Sequence, residues 1–121
     1  MPKIDPIYVG KDAINQLISY VTSHNLKRFA LVADANTYRA LGERVAAALT
    51  DKGCELTTII LEGEHIHADE HHLIQAFIRA PLGDCTFIAV GSGTITDITR
   101  FVSHRSGRPF IAMPTDRKSV V

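Results

Sequence analysis

One segment of the sequence combines glycines with small polar residues in a way that suits an anionic ligand. It reads Gly91-Ser92-Gly93-Thr94-Ile95-Thr96-Asp97 and directly follows the apolar run 85–90. Glycines let a backbone turn tightly and approach a ligand without a Cβ in the way. Where such a turn opens a helix, the first amides are unpaired and the helix dipole favours an anion. We therefore predict free amides from Gly93 to Asp97, with a pyrophosphate as their ligand.

A plain strand-to-helix turn is the alternative interpretation of the same residues. Thr94 would then be the helix N-cap. Asp97 would stabilise the positive end of the helix dipole, although its carboxylate is also placed to meet a ribose or a substrate hydroxyl.

A second candidate is the acidic turn Asp34-Ala35-Asn36-Thr37, at the end of the apolar run 28–33. An acidic residue there can accept both hydroxyls of an adenosine ribose and repels a 2′-phosphate. Capping the following turn is its other possible role. The ordinary dinucleotide fingerprint is absent, because no G-x-G-x-x-G follows the first strand and the acidic turn precedes the glycine turn. The pattern therefore indicates a nucleotide-binding fold of another lineage.

Strand and helix patterns alternate along the chain. Short apolar runs predict strands at 28–33, 56–61, 85–90 and 110–113, with a weaker edge strand at 7–9. Apolar residues at helical spacing form four stripes between them, and Gly53, Gly83 and Gly107 are natural stops. The stripes are Ile14/Leu17/Ile18/Val21, Leu41/Val45/Ala48/Leu49, Leu73/Ile74/Phe77/Ile78 and Ile95/Ile98/Phe101/Val102. We predict a doubly wound α/β domain with a mostly parallel sheet.

Composition excludes several other classes of function. The 121 residues carry 13 Lys plus Arg against 13 Asp plus Glu, a net charge of zero, which argues against a nucleic-acid or membrane partner. No apolar stretch is long enough to span a bilayer. The N-terminus lacks a signal pattern, and Cys54 and Cys85 lack metal or redox spacing. We expect a cytoplasmic protein with two buried thiols.

The histidine-rich segment 64–72 contains His67 and His71 at i, i+4, a spacing that can hold zinc on a helix. The segment follows a predicted strand and opens a predicted helix, so a solvated loop and first turn explain it without a metal. Asp69 and Glu70 would favour the start of that helix. We predict no metal site there.

Three segments together resemble the sn-glycerol-1-phosphate dehydrogenases, specifically their bacterial branch. They are the runs 31–37 (Leu-Val-Ala-Asp-Ala-Asn-Thr), 88–97 (Ile-Ala-Val-Gly-Ser-Gly-Thr-Ile-Thr-Asp) and 109–115 (Pro-Phe-Ile-Ala-Met-Pro-Thr). That family belongs with the iron-containing alcohol dehydrogenases, glycerol dehydrogenases and 3-dehydroquinate synthases. The similarity extends over nearly the whole chain, from about residue 7 to residue 115.

The resemblance implies a role for each candidate residue. Asp34 would contact the adenosine ribose of NAD or NADP, Gly91 and residues 93–97 the pyrophosphate, and Thr115 the adenine side. The family interconverts dihydroxyacetone phosphate and sn-glycerol 1-phosphate, as part of phospholipid metabolism, and homo-oligomers are expected. A divalent metal (Ni, Zn or Fe) polarises the substrate oxygen. Its ligands, an Asp and two His, come from a helical C-terminal domain.

The sequence departs from the family after Thr115. The family continues with Ala-Pro-Ser and an Asp-Gly that reaches the substrate, whereas this chain reads Asp-Arg-Lys-Ser-Val-Val over 116–121. Those six residues match one reading frame of a sequencing-library adapter, so we expect a non-native tail. Residues 1–115 are then an incomplete NAD(P)-binding domain. The catalytic residues and metal ligands are expected to be missing, and the chain by itself to be inactive.

Two alternatives remain open at the level of sequence. One is another enzyme of the same superfamily, a polyol or alcohol dehydrogenase or a dehydroquinate synthase-like lyase. The other is a stand-alone α/β binding domain with no catalysis.

Overall fold

The computed structural model describes residues 12–62 and 70–115. The predicted edge strand at 7–9, His67 and the tail 116–121 lie outside these ranges. Within them, four strands alternate with helices in the predicted order. The strands are β1 (Arg28–Asp34), β2 (Glu55–Leu61), β3 (Thr86–Gly91) and β4 (Phe110–Pro114). The helices are α1 (Ala13–Ser23), α2 (Ala35–Thr37), α3 (Glu43–Asp51), α4 (Glu70–Arg79) and α5 (Gly93–Arg105), with a π-helical turn, Tyr38–Gly42, between α2 and α3.

The four strands form one parallel sheet in the order β2-β1-β3-β4. Alternate residues of β1 point to opposite faces, so Leu31 belongs to one core and Val32 to the other. Helices α1 and α3 cover the Leu31 face, while α4 and α5 cover the Val32 face. The predicted doubly wound parallel α/β architecture is confirmed.

The predicted helix stops at two glycines are confirmed by their backbone conformation. Gly53 follows α3 with φ of +79° and Gly107 follows α5 with φ of +69°. Glycine accepts this left-handed region without steric cost, which lets the chain leave each helix and enter the next strand. In the described ranges, no helix is long and apolar enough to cross a membrane.

The predicted buried stripe of α4 is wrong except at Leu73, which packs against the core. Ile74, Phe77 and Ile78 are exposed, and the helix buries His72 and Ala76 in their place. His72 is only 4% exposed, and its Nε2 lies 3.2 Å from the carbonyl oxygen of Glu62. That hydrogen bond satisfies the ring and makes its burial acceptable.

The predicted stripe of α5 is wrong at Phe101, which is half exposed, while Thr99 and Ser103 are buried. The two hydroxyls are satisfied inside their own helix. Thr99 donates to the Ile95 carbonyl at 2.7 Å, and Ser103 donates to the Arg100 carbonyl at 2.9 Å. A hydroxyl that bonds back to its helix can face an apolar sheet at little cost.

Candidate nucleotide-binding site

The glycine turn and the acidic turn lie at the same edge of the sheet, because they follow two adjacent parallel strands. Val32 of β1 is level with Ala89 of β3, and Asp34 and Gly91 each lie two residues further along. Neighbouring strands are about 5 Å apart. The chain leaves β1 toward one face, into α3, and leaves β3 toward the other, into α5. A crevice at such a switch point is where open α/β sheets bind ligands.

Helix α5 begins at Gly93, and its N-cap is Ser92 in an extended conformation. The alternative in which Thr94 caps the helix is therefore wrong. The Ser92 side chain makes no cap hydrogen bond, although its backbone carbonyl accepts the Thr96 amide at 3.0 Å. A helix start without a side-chain cap leaves its first amides for another acceptor.

The predicted row of exposed amides is too long. Ile95 is fully buried in the core, and the amide of Thr96 is already bonded within the helix. The hydrogen-bond ladder of α5 also takes up the amides that follow Thr96. Gly93 is exposed and Thr94 is half-buried, so these two residues present the amides that an anion can reach.

Glycine suits the two positions of this turn for different structural reasons. A Cβ on Gly91 would lie 2.8 Å from Cγ1 and 2.9 Å from Cβ of Ile95, so Gly91 allows α5 to pack closely against the end of β3. A Cβ on Gly93 would meet nothing within 4 Å. Gly93 therefore borders open space, and a side chain there would occupy the volume next to the first helix amides.

The acidic turn is a closed hydrogen-bonded box. Asp34 Oδ1 accepts the Thr37 amide at 2.8 Å, and the Thr37 hydroxyl accepts the Asp34 amide at 3.0 Å. Asp34 thus has the capping role that the sequence left open. Its other oxygen, Oδ2, has no hydrogen-bond partner among the described residues. Sequence analysis included Thr37 in this turn but missed its hydrogen bonds with Asp34, although an N-cap residue followed three positions later by a residue that bonds back is a recognisable capping-box spacing.

The π-helical turn Tyr38–Gly42 follows the acidic turn and contacts both β1 and β3. Such turns are rare, and those that do occur are often at functional sites. Its exposed Arg39 donates from Nη2 to Asn36 Oδ1 at 2.7 Å. No signal in the sequence marked Arg39, because a single arginine in a polar stretch is common.

Two further predicted residues lie near the glycine turn. The Thr115 amide donates to the Gly91 carbonyl at 3.1 Å, which ties the end of β4 to the turn. Asp97 is exposed and pairs with Arg100 at 3.3 Å, within its own helix. Asp97 is therefore already engaged by a cation, and exposed pairs of this kind contribute little to stability.

Within residues 12–62 and 70–115, no three His, Cys, Asp or Glu side chains are grouped to hold a metal ion. His71 Nε2 lies 2.9 Å from Gln75 Nε2, and the adjoining His72 is buried against Glu62. His67, the other half of the i, i+4 pair, lies outside the described ranges. The site thus offers two amides and a carboxylate, which is chemistry for binding and orienting a nucleotide.

Comparison with known proteins decides the family. The model of the iron-containing alcohol dehydrogenases matches residues 8–118. The chain belongs to this family. Its matched relatives include a glycerol-1-phosphate dehydrogenase [NAD(P)+] of Halalkalibacterium halodurans, 41% identical over 116 residues. That alignment takes in 93% of this chain and 29% of the relative, so this iron-containing alcohol dehydrogenase chain spans less than a third of the length of that protein.

Solved structures agree on the fold. The glycerol dehydrogenase of Schizosaccharomyces pombe superposes with a TM-score of 0.77 at 22% identity, over 93% of this chain and 29% of that one. A 2-epi-5-epi-valiolone synthase of Streptomyces hygroscopicus, solved with NAD+ and Zn2+ bound, superposes with a TM-score of 0.64 at 16% identity, over 94% of this chain and 33% of that one. At these identities the likeness shows the fold alone.

Proposed function

We propose that residues 1–115 are the NAD(P)-binding part of a metal-dependent sn-glycerol-1-phosphate dehydrogenase. The observation that carries the proposal is the meeting of two turns at the β1/β3 switch point. One turn presents Gly93 beside open space, and the other presents a carboxylate oxygen of Asp34. The relative's name, glycerol-1-phosphate dehydrogenase [NAD(P)+], supports both the cofactor and the substrate.

The residues present fit the cofactor. The amides of Gly93 and Thr94 would hold the pyrophosphate at the start of α5. Asp34 would accept a ribose hydroxyl on Oδ2, with its carboxylate orientation fixed by the bond from the Thr37 amide. Thr115, which is tied to the same turn, would lie on the adenine side. When bound, the nicotinamide supplies the hydride chemistry that interconverts dihydroxyacetone phosphate and sn-glycerol 1-phosphate.

The divalent metal of the proposed enzyme has no site among the described residues. We assign no step to it. The part of the reaction that these residues perform is to bind the dinucleotide and fix its orientation, which determines where hydride transfer takes place. We expect the 121-residue chain, with NADH and Ni2+, Zn2+ or Fe2+, not to turn over dihydroxyacetone phosphate. Steady oxidation of NADH that depends on this substrate would contradict that expectation.

Nucleotide binding by the 121-residue chain tests the proposal directly. NAD+ is titrated into isotope-labelled protein while the backbone amide resonances are followed. We expect saturable shifts at Gly93, Thr94 and Asp34. Gly93→Leu fills the open space and should abolish them. Ala47→Leu, which adds the same side chain at an exposed position of α3, should leave them unchanged.

Two outcomes of this titration would contradict the proposal. One is that NAD+ produces no saturable shift at any concentration up to the solubility limit. The other is that saturable shifts occur but map to the amino ends of the strands, away from both turns. Retained binding in Gly93→Leu would separately remove the glycine turn from the site.

A further inference from the structure

We infer that Arg39 forms a binding point for the 2′-phosphate of an adenine nucleotide, which lets the site accept the phosphorylated as well as the plain ribose. This inference rests on the proposed function. It adds a contact for the 2′-phosphate to a site otherwise described by its pyrophosphate and ribose contacts.

The position of Arg39 is the first argument. It lies in the π-helical turn that follows Asp34-Ala35-Asn36-Thr37, five residues beyond the candidate ribose ligand. Its guanidinium reaches back along the chain and bonds to Asn36, two residues after Asp34. The cation is thus held over the same turn that would receive the ribose.

The charge of Arg39 is the second argument. In the described ranges, the side chain has no carboxylate within 4.0 Å, and its partner is the neutral amide oxygen of Asn36. Three of the other described arginines, Arg28, Arg79 and Arg100, each pair with an acidic side chain, so their charge is already compensated. A phosphate would replace a neutral hydrogen bond of Arg39 by a stronger, charge-assisted one.

The hydrogen bond that orients the Asp34 carboxylate is the third argument. Because Oδ1 is bonded to the Thr37 amide, the carboxylate cannot rotate away from a 2′-phosphate without breaking the capping box. Its charge alone would disfavour that phosphate. The cation of Arg39 offsets this repulsion, so the site as a whole discriminates weakly between the two nucleotides.

Small nucleotides test the inference without any need for catalysis. Affinities of the 121-residue chain for adenosine 5′-monophosphate and adenosine 2′,5′-bisphosphate are measured by calorimetry or by amide shifts. In Arg39→Ala we expect binding of the bisphosphate to weaken by on the order of tenfold, with the monophosphate almost unaffected. Arg44→Ala is the matched control. Arg44 is also exposed and also bonds to a residue shortly before it in the chain, donating to the Ala40 carbonyl at 2.9 Å.

A second variant, Asn36→Ala, keeps the cation and removes its neutral partner. It should preserve or strengthen binding of the bisphosphate. Because both variants break the bond between Arg39 and Asn36, this result would show that loss of the cation, and not loss of that bond, weakens binding in Arg39→Ala. Equal weakening of both nucleotides in Arg39→Ala, or no change in either, would overturn the inference while leaving the proposed function intact. Failure of the unaltered chain to bind either nucleotide would overturn both.

Discussion

Asp34 performs two tasks with its two carboxylate oxygens. Oδ1 closes the capping box with Thr37, and Oδ2 remains for a ligand. From the sequence these appeared to be competing roles. The structure makes them compatible, because the bond that caps the turn also orients the oxygen that would meet the ribose.

Substitution of Asp34 separates the two tasks. Serine keeps an N-cap acceptor but removes the charge, whereas alanine removes both. Asp34→Ala should lower the free energy of unfolding by about 1 kcal/mol, and Asp34→Ser by much less. Both should raise affinity for NADP+ relative to NAD+. Chemical denaturation and nucleotide titration measure the two effects. If the ratio of the affinities for NAD+ and NADP+ is unchanged in Asp34→Ser, the role of Asp34 is purely structural.

The buried thiol of Cys85 makes the stability of the fold depend on pH. Burial raises the pKa of its thiol above the ordinary value of 9.0, and Arg108, whose Nη1 lies 3.6 Å from the sulfur, partly opposes this. Because the folded pKa exceeds the unfolded one, the stabilising contribution is complete below pH 9.0 and is lost as the pH rises through the folded pKa.

We therefore expect the stability difference between the unaltered chain and Cys85→Ala to be constant at neutral pH and to shrink at alkaline pH. Urea denaturation over a pH series checks this. The cavity left by alanine lowers stability equally at every pH, so it does not mimic the effect. A difference that stays constant well above pH 9.0 would show that the thiol ionises as easily in the folded chain as in the unfolded one.

At the scale of elements, the glycine turn contains a pair of positions that should respond in opposite ways. Gly91→Ala places a Cβ against Ile95 and should cost about 1–3 kcal/mol of folding free energy by overpacking. Gly93→Ala extends into open space at the first position of α5 and should change stability by no more than about 0.5 kcal/mol.

Thermal and chemical denaturation of the two alanine variants make the comparison. NAD+ titration of Gly93→Ala then asks whether a single methyl group next to the amides already weakens binding. If Gly91→Ala is as stable as the unaltered chain, close packing of α5 on β3 is not the reason for that glycine.

The strands and helices were predictable because their signals are local. Apolar runs, helical spacing and the glycine stops all lie within one element. The buried face of α4 was not predictable in this way. Whether His72 or Phe77 faces the sheet depends on the carbonyl of Glu62, which only the assembled sheet brings within reach. The predicted number of exposed amides at the start of α5 was wrong for a similar reason, because the packing of Ile95 in the core limits it.

At the scale of the whole molecule, one surface departs from the usual polar exterior. Helix α4, the connection that follows it and helix α5 expose large apolar side chains. These are Ile74, Phe77, Ile78, Leu82 and Phe101, of which Ile78 is 76% and Leu82 90% exposed. Apolar surfaces of this kind mark interaction sites or cause aggregation.

We expect the purified chain to self-associate through this apolar surface. Ile78→Lys and Leu82→Lys should reduce the association, and each should change stability little because the side chains are exposed. Sedimentation over a range of concentrations measures the effect, with Ala47→Lys on the opposite side as the control. A monomer at every concentration, or association that persists in the double variant, would show that the surface does not join copies of this chain.

The strand order divides the described part of the chain into two repeats of one plan. Residues 28–61 form strand, helix, strand, and residues 86–114 do so again, and β1 pairs with β3 at the boundary between the two segments. Asp34 belongs to one repeat and Gly93 to the other, so the proposed nucleotide would contact both sides of this boundary. A ligand that binds only the joined form shifts the folding equilibrium toward it by mass action. Separation of β1 from β3 and release of the nucleotide would then be coupled events. Saturating NAD+ should therefore slow hydrogen exchange along β1 and β3 more than along β2.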